Sequence, residues 1–584
     1  MLFKVFGNAQ TARPALFSSP MNVPLLVTAG FGELRPDHFH SGIDFSTYGK
    51  EQQIFAAAEG YVSRIRVATG GYGKAIYLNH PNGLTTVYAH LSSFNEGLNS
   101  LVKNLQERGR DYELDIILDS AEYPVKPSEL IGYSGNSGSS TAPHLHFEVR
   151  DQFFENTLNP FLYGFLPADH TAPDIRAVSI FPQSNYGTVN SAGVAVHLPL
   201  VIDKKSRKKT FPPKQKMPVV SGWVGFGFQG GDVIGKQKNA SGIYQVKLLV
   251  DSQLVFHSRF DEFSFHETRC INAYLDYPSR KKGGQKIQKC IVPPNNMIGI
   301  YKAHQNRGLY YFDQDKEYQI TYVLADANGN KTRFDMRVKG KKPAAIQQTA
   351  TVNVGRVEVL PGIAQKVSAS GFEAVFGEAS LFDTAQIKVN RIPLPGKYSD
   401  QYELGSIYIP LNQPVTVKLK PRNFPDSLRS KLLIGRREGV QLTALNSSWK
   451  AGWLEAQSNQ FGDFRIEADT VAPIIKYVAV PVPKKKGKKE KKSAAPASIS
   501  KEPKGLVRFS VTDRLSGVAG FEVTLNGNLI IPQPLKTKQE WGYRFADNLM
   551  PGEYVFQVTA VDRVENRRVF SMTFIQPEPP ANSP

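Results

Sequence analysis

The stretch "HLHFEV", residues 144–149, reads as a β-strand with chemistry on one face. In an extended strand side chains two apart share a face, so His144, His146 and Glu148 point one way. Leu145, Phe147 and Val149 then point the other way, into a core. A second pair of histidines one residue apart, His38 and His40, opens "HFHSGIDF" at 38–45, with the carboxylate of Asp44 close behind. A catalytic zinc takes three protein ligands and keeps one position open. His146, one histidine of the 38–45 stretch and Asp44 would supply N, N and O, with a bound metal activating water and polarising a carbonyl. His144, and His90 from "YAHLS", are then left as acid/base groups or as donors to an oxyanion, work suited to an imidazole that titrates near neutrality.

The surroundings are β-rich. Six of the 11 histidines (His38, His40, His80, His90, His144, His146) lie between 38 and 146. There, short strands such as "KAIYLNH" and "LTTVYAH" are parted by glycine turns, "GGYG" and "PNG". One helix is expected over 98–109, with Leu98, Leu101, Val102 and Leu105 on one face and Gly109 as its stop. "GGYG" at 70–73 lacks the lysine and the strand–loop–helix context of a phosphate loop and reads as a hairpin lining a groove. "HETRC" at 266–270 begins like a helical zinc motif but puts Cys270 where the second histidine belongs. His80 sits at a turn and reads as structural, and His38 as a supporting or surface residue.

Length and charge bound the rest. The chain has 584 residues, which implies several domains, and a formal charge of +19. Part of that charge is the block Lys484–Lys492, "KKKGKKEKK", which suits an anionic envelope polymer and otherwise reads as a solvated loop. No aromatic-interleaved basic face or zinc-finger spacing supports nucleic-acid binding. No apolar run is long enough to span a membrane. The start, "MLFKVFGNAQTARPALFSSP", shows no signal-peptide core. The two cysteines, Cys270 and Cys290, are compatible with either a disulfide or two buried thiols.

Beyond 166 a pattern recurs. "ADHTAP" at 168 and "ADTVAP" at 468 each precede a Ser-Gly turn, at 241 and 516, and an Asp-x-x-x-Asn turn, "DANGN" at 326 and "DRVEN" at 562. This order reads as two immunoglobulin-like β-sandwiches. The expected organisation is a lead-in over 1–21, a histidine-rich domain over 22–166, and a sandwich over 167–340 whose insertion holds both cysteines. A further β domain over 341–467 and a last sandwich over 468–584, with a lysine-rich loop at 484–504, complete it.

Together "FGELRPDHFH", "FHSGIDF", "YAHLSSF" and "GYSGNSGSSTAPHLHFEVR" resemble the lysostaphin/LytM-type zinc metallopeptidases, which cut peptide cross-links in bacterial cell walls. The resemblance covers 22–166, and the lead-in and trailing β domains resemble multi-domain members from Bacteroidota. It implies a mainly β chain, an antiparallel-sheet peptidase domain followed by the sandwiches. It implies Zn2+ held by His40, Asp44 and His146, His40 filling the first position of His-x-x-x-Asp, with His90 and His144 as the non-ligand catalytic histidines. It also implies a peptidoglycan substrate, and hence a periplasmic or cell-envelope location. The alternative is a catalytically silent scaffold or regulator that binds cell wall or envelope partners. The family's compact domain has a short connection after "YAHLS"; here about 35 residues intervene, an insertion expected to wall the groove or narrow its substrate range.

Overall fold

The computed structural model describes residues 16–235, 239–343, 355–478, 506–535, 539–545 and 550–576. The chain is mainly β: a peptidase-like sheet comes first and further sheets follow. The strands of the first region are β1 (Val27–Ala29), β2 (Ile43–Ser46), β3 (Gln53–Phe55), β4 (Gly60–Val67), β5 (Lys74–Asn79) and β6 (Leu84–Phe94). Helix α1 (Glu96–Gly109) follows, then β7 (Leu114–Ile117), β8 (Pro124–Val125), β9 (Leu130–Ser134), β10 (His144–Asp151) and β11 (Thr157–Leu158). Along the sheet the order is β1-β2-β10-β6-β5-β4-β7, with β9 bridging β3 and β6.

The alternation read in 144–149 fixes how β10 sits. Leu145, Phe147 and Val149 are fully buried in the core with Phe39, Ile43, Phe45 and Tyr88. On the opposite face His146, Glu148 and Arg150 are buried as well, beneath Tyr72 and Phe265, and β10 itself runs between β2 and β6. Phe17 and Met21 pack into this core, and so do Phe260, Phe263, Ile271 and Tyr274 from far along the chain. β11 adds the strand Glu262–Phe263 to its edge.

Helix α1 begins earlier than its apolar spacing indicates, because Asn95 caps it by accepting from the Leu98 N–H at 3.0 Å. It ends on Arg110, whose φ of 56° supplies the left-handed stop in place of Gly109. Leu98 and Val102 face the core, as their spacing requires. The insertion does not reach the histidines. Its strand β7 pairs with β4, three strands away from β10. Its Tyr112 ring meets Trp541 edge-on at 5.7 Å, so it braces the last part of the chain.

Three further cores follow. An eleven-stranded sheet encloses one that includes Phe226, Phe228, Tyr318 and Tyr322. Sheets of six and five strands enclose another around Phe372, Phe376 and Phe464. Two four-stranded sheets, from Ile474–Tyr477 to Arg567–Gln576, enclose the last. Cys270 and Cys290 are buried free thiols, and burial pushes Cys270 up to about 12. Lys484–Lys492 and the loop at 484–504 lie outside the described residues. Among the described residues no helix is long and apolar enough to cross a membrane.

Candidate metal centre

Strand register brings the two histidine stretches together. In the β2–β10 pair His146 lies opposite Asp44. His40, just before β2, turns inward from a chain whose Gly32 N–H donates to the His40 carbonyl at 2.9 Å. His40 Nε2 lies 3.1 Å from Asp44 Oδ1 and 3.1 Å from His146 Nδ1, and His146 Nδ1 lies 2.9 Å from Asp44 Oδ1. All three residues are buried, and these ligand atoms lie within 4.8 Å of one another.

The remaining ring nitrogens are already engaged, which selects the nitrogens that face the centre. His40 Nδ1–H donates to the Gly30 carbonyl at 2.9 Å, leaving Nε2 inward. His146 Nε2–H donates to Glu148 Oε1 at 2.8 Å, leaving Nδ1 inward. Asp44 is tied through Oδ2 by Arg35 Nη2 at 2.8 Å, which presents Oδ1 to the histidines. Two nitrogen lone pairs and a carboxylate oxygen this close repel one another unless a proton or a cation lies among them. Burial alone would raise Asp44, but the His40 charge and hydrogen bonds from His146 and His40 hold it well below the usual carboxylate range. Burial opposes charging of His146, yet its bonds to Asp44 and Glu148 and their charges raise it to about 9. The donor set N, N, O suits a borderline ion such as zinc.

Glu148 is the hub behind the centre. Fully buried, it accepts from the Ser41 hydroxyl at 2.5 Å, from the Tyr72 hydroxyl, and from Arg150 Nε at 2.7 Å. Burial would raise its carboxyl, but Arg150 and His146 hold it far down. The Tyr72 ring stacks on His146 at 5.3 Å. Phe265 packs against Tyr72 at 6.1 Å and under the Arg150 guanidinium at 5.2 Å. "HETRC" therefore belongs to a 3-10 turn (Phe265–Cys270) beside this cluster, and not to a metal-binding helix.

Two more imidazoles border the same spot. His90 takes a left-handed φ of 60° in the middle of "YAHLS", and its Nδ1–H donates to the Ser137 carbonyl at 2.9 Å. That carbonyl is held by interlocked turns: Ser137 Oγ accepts from the Lys74 N–H at 2.9 Å, and the Ser139 N–H donates to the Gly71 carbonyl at 2.9 Å. Gly138, at φ 71°, must be glycine, since a Cβ there would lie 2.3 Å from the Gly73 nitrogen. His144 Nδ1–H donates to the Ala142 carbonyl at 2.8 Å. Its Nε2 is buried without a hydrogen-bond partner, 3.5 Å from Asp44 Oδ1. The two rings meet at 4.8 Å, and the His90 ring lies 5.8 Å from that of His146. Burial, then His146 and His144, push His90 down to about 3, so it is neutral at neutral pH.

His38 is exposed, and His80 is buried elsewhere, bonded to the Glu59 carbonyl and Thr86. Strand alternation placed Glu148 on the histidine face and extends to Arg150. Arg35, Ser41 and Tyr72 carried no such signal, since their roles come from loops that meet β10 only in the folded chain.

Residues 38–107 match Peptidase family M23, and residues 363–469 match the Zu5-like domain. The first span includes His40, Asp44 and His90; His144 and His146 join it through pairing of β10 with β2 and β6. The chain is 34% identical over 111 residues to the DD-carboxypeptidase/endopeptidase Mpg of Neisseria meningitidis serogroup B, covering 19% of this chain and 20% of that protein. It is 36% identical over 147 residues to an uncharacterized metalloprotease of Haemophilus influenzae, covering 25% of each. It thus spans a fifth to a quarter of these curated relatives. Among solved structures, the catalytic domain of the prophage-encoded M23 protein EnpA from Enterococcus faecalis is 25% identical, with a TM-score of 0.20, covering 25% of this chain and 98% of that one. The lysostaphin catalytic domain from Staphylococcus simulans is 26% identical, with a TM-score of 0.18, covering 24% of this chain and 92% of that one.

Proposed function

We propose that this chain, which carries a peptidase family M23 domain, is a zinc endopeptidase that hydrolyses peptide cross-links of bacterial peptidoglycan. One observation carries the reading. His40 Nε2, His146 Nδ1 and Asp44 Oδ1 face one another in a buried spot while their other polar atoms are already bonded, and the buried His144 Nε2 lies 3.5 Å from the same Asp44 Oδ1.

Zinc held by His40, Asp44 and His146 would lower the pKa of a water and polarise the scissile carbonyl. The chain's own part is proton handling. His90 and His144 spend their Nδ1–H groups on the Ser137 and Ala142 carbonyls, which leaves each Nε2 to face a substrate. A neutral Nε2 accepts the proton of the attacking water and returns it to the leaving amine, and the second imidazole, once protonated, donates to the carbonyl oxygen as charge builds there. Arg35, Glu148 and Gly30 hold the ligand atoms in place so that no reorganisation accompanies the reaction. An envelope location follows from that substrate, and the Lys484–Lys492 run suits retention on an anionic wall polymer.

Digestion of purified muropeptides with product masses, run with and without a chelator, tests this. His40→Ala and Asp44→Ala are expected to lose both stoichiometric zinc and turnover. His90→Ala and His144→Ala should keep zinc and lose roughly 10²–10⁴-fold in kcat. Stoichiometric zinc without turnover in the unaltered chain would instead establish a binding scaffold.

A further inference from the structure

The two recurring patterns beyond residue 166 fold into the same hydrogen-bonded device. In the first, Asn330 Nδ2–H donates to Asp326 Oδ2 at 2.7 Å and to the Asp169 carbonyl at 3.1 Å. In the last, Asn566 Nδ2–H donates to Asp562 Oδ2 at 2.7 Å and to the Asp469 carbonyl at 3.0 Å. The backbone repeats as well, the Asp326 N–H bonding the Asn330 carbonyl at 3.2 Å and the Asp562 N–H the Asn566 carbonyl at 3.0 Å. A third aspartate precedes each Ser-Gly turn: Asp232 before Ser241-Gly242, and Asp513 before Ser516-Gly517.

In the last repeat a carboxylate oxygen from each of Asp469, Asp513 and Asp562 lies within 4.8 Å of the other two, and Asp469 and Asp562 are buried. The hydrogen bonds accepted by these side chains come from backbone N–H groups, Ser516 and Asn566. Among the described residues no lysine or arginine pairs with any of the six aspartates. The first repeat shows what is missing. Asp232 is 7% exposed, and its Oδ1 has no hydrogen-bond partner. With Asp326, Ser241 and Gly242 it lines a cavity of about 10 Å³, room for one water or small ion. Burial, then the charges of Asp326 and Asp169, push Asp232 up to about 8. Buried carboxylates of like charge hold together only by taking up a proton or a cation.

We propose that each repeat binds one divalent cation of calcium type, the first at Asp232 and Asp326, which line the cavity, and the last at Asp469, Asp513 and Asp562. The ligands are all oxygen, which favours a hard ion over zinc, and calcium over magnesium where irregular loops and backbone carbonyls complete the shell. The histidine centre, with its two nitrogens, is chemically distinct. The first cation would sit where the repeat meets the peptidase domain, because Phe31, Asn159 and Phe161 line the same cavity. It would thereby pin the turn that abuts Gly30 and Gly32, since a Cβ on Gly242 would lie 2.5 Å from the Gly32 carbonyl carbon.

The experiment uses the full, zinc-loaded chain stripped of calcium and titrated with calcium alone by calorimetry, with metal content measured by mass spectrometry. One calcium per repeat is expected, saturating by about 5 mM, above the roughly 10⁻⁴–10⁻³ M range of weak extracellular modules. Asp232→Asn should lose the first ion and Asp562→Asn the last, with zinc content unchanged and the melting midpoint no longer raised by calcium at that repeat. Asp513→Asn, at a half-buried position, replaces Asp562→Asn if the latter does not fold. Absence of calcium binding at about 5 mM would mean that the carboxyls are satisfied by the hydrogen bonds they accept, and would overturn the proposal. Unchanged stoichiometry in the folded variants would overturn it too.

Discussion

At the scale of the residue, Glu148 does for His146 what the Gly30 carbonyl does for His40. Each takes the outward N–H of an imidazole and so decides which nitrogen faces inward. Glu148 is held in turn by Ser41, Tyr72 and Arg150, so its carboxylate cannot rotate away. Glu148→Gln retains the size but removes the charge and one acceptor. Zinc affinity is expected to fall about 10–100-fold, as is usual when a group behind a ligand is changed. Competition against a colorimetric zinc chelator measures this, and unchanged affinity would show that Glu148 does no more than balance Arg150.

Among the elements, the edge formed by β1, β2 and the strand Asn239–Ser241 matters most, because it joins the first repeat to the centre. The Gly30 N–H donates to the Ala240 carbonyl at 3.1 Å, while the Gly30 carbonyl holds His40. A Cβ on Gly30 would fall 2.2 Å from Ser241 Oγ and 2.8 Å from Ser241 Cβ. Gly30→Ala should therefore displace the carbonyl behind His40 and weaken zinc retention on the order of 10-fold. Adding Ser241→Gly removes both clashing atoms and should restore part of it, a rescue that zinc content in the double variant reads directly. Elsewhere, Asp400 ties the strands Ala385–Ile392 and Gln401–Leu404 to a loop. Burial would raise it, but bonds from Arg422, the Leu394 N–H and Arg391 bring it down to about 2. Its folded value lies below the ordinary value near 3.9. That stabilisation is therefore present above about pH 4 and is lost as pH falls from about 4 to about 2. Amide exchange in those two strands should accelerate across that window beyond the intrinsic rate, and Asp400→Asn should already exchange fast at neutral pH.

For the whole molecule, the core of the peptidase domain does not end where its motifs end. Phe39, fully buried beside His40, packs against Phe260 at 5.2 Å, Tyr274 at 5.5 Å and Phe263 at 5.8 Å. Asn159 Nδ2–H donates to the Phe260 carbonyl at 3.0 Å. Fully burying each aromatic contributes roughly 1.5–3 kcal/mol. A chain stopped after residue 166 should thus melt lower and bind a hydrophobic dye, whereas one carried through residue 343 should not; calorimetry and dye fluorescence compare them. What the sequence by itself determined is local. Alternation in 144–149 put His144, His146 and Glu148 on one strand face, and apolar spacing placed α1, because periods of two and of 3.6 residues are properties of the backbone alone. The proposed donor set was named from short motifs, the choice of His40 over His38 resting on the family resemblance. The tertiary structure alone decided the partners. It brought Arg35 on to Asp44, Tyr72 on to Glu148 and Phe260 over Phe39, and it sent the insertion after "YAHLS" to the far edge of the sheet. Those contacts join residues whose proximity depends on strand pairing and burial summed over the folded chain, which no local spacing encodes.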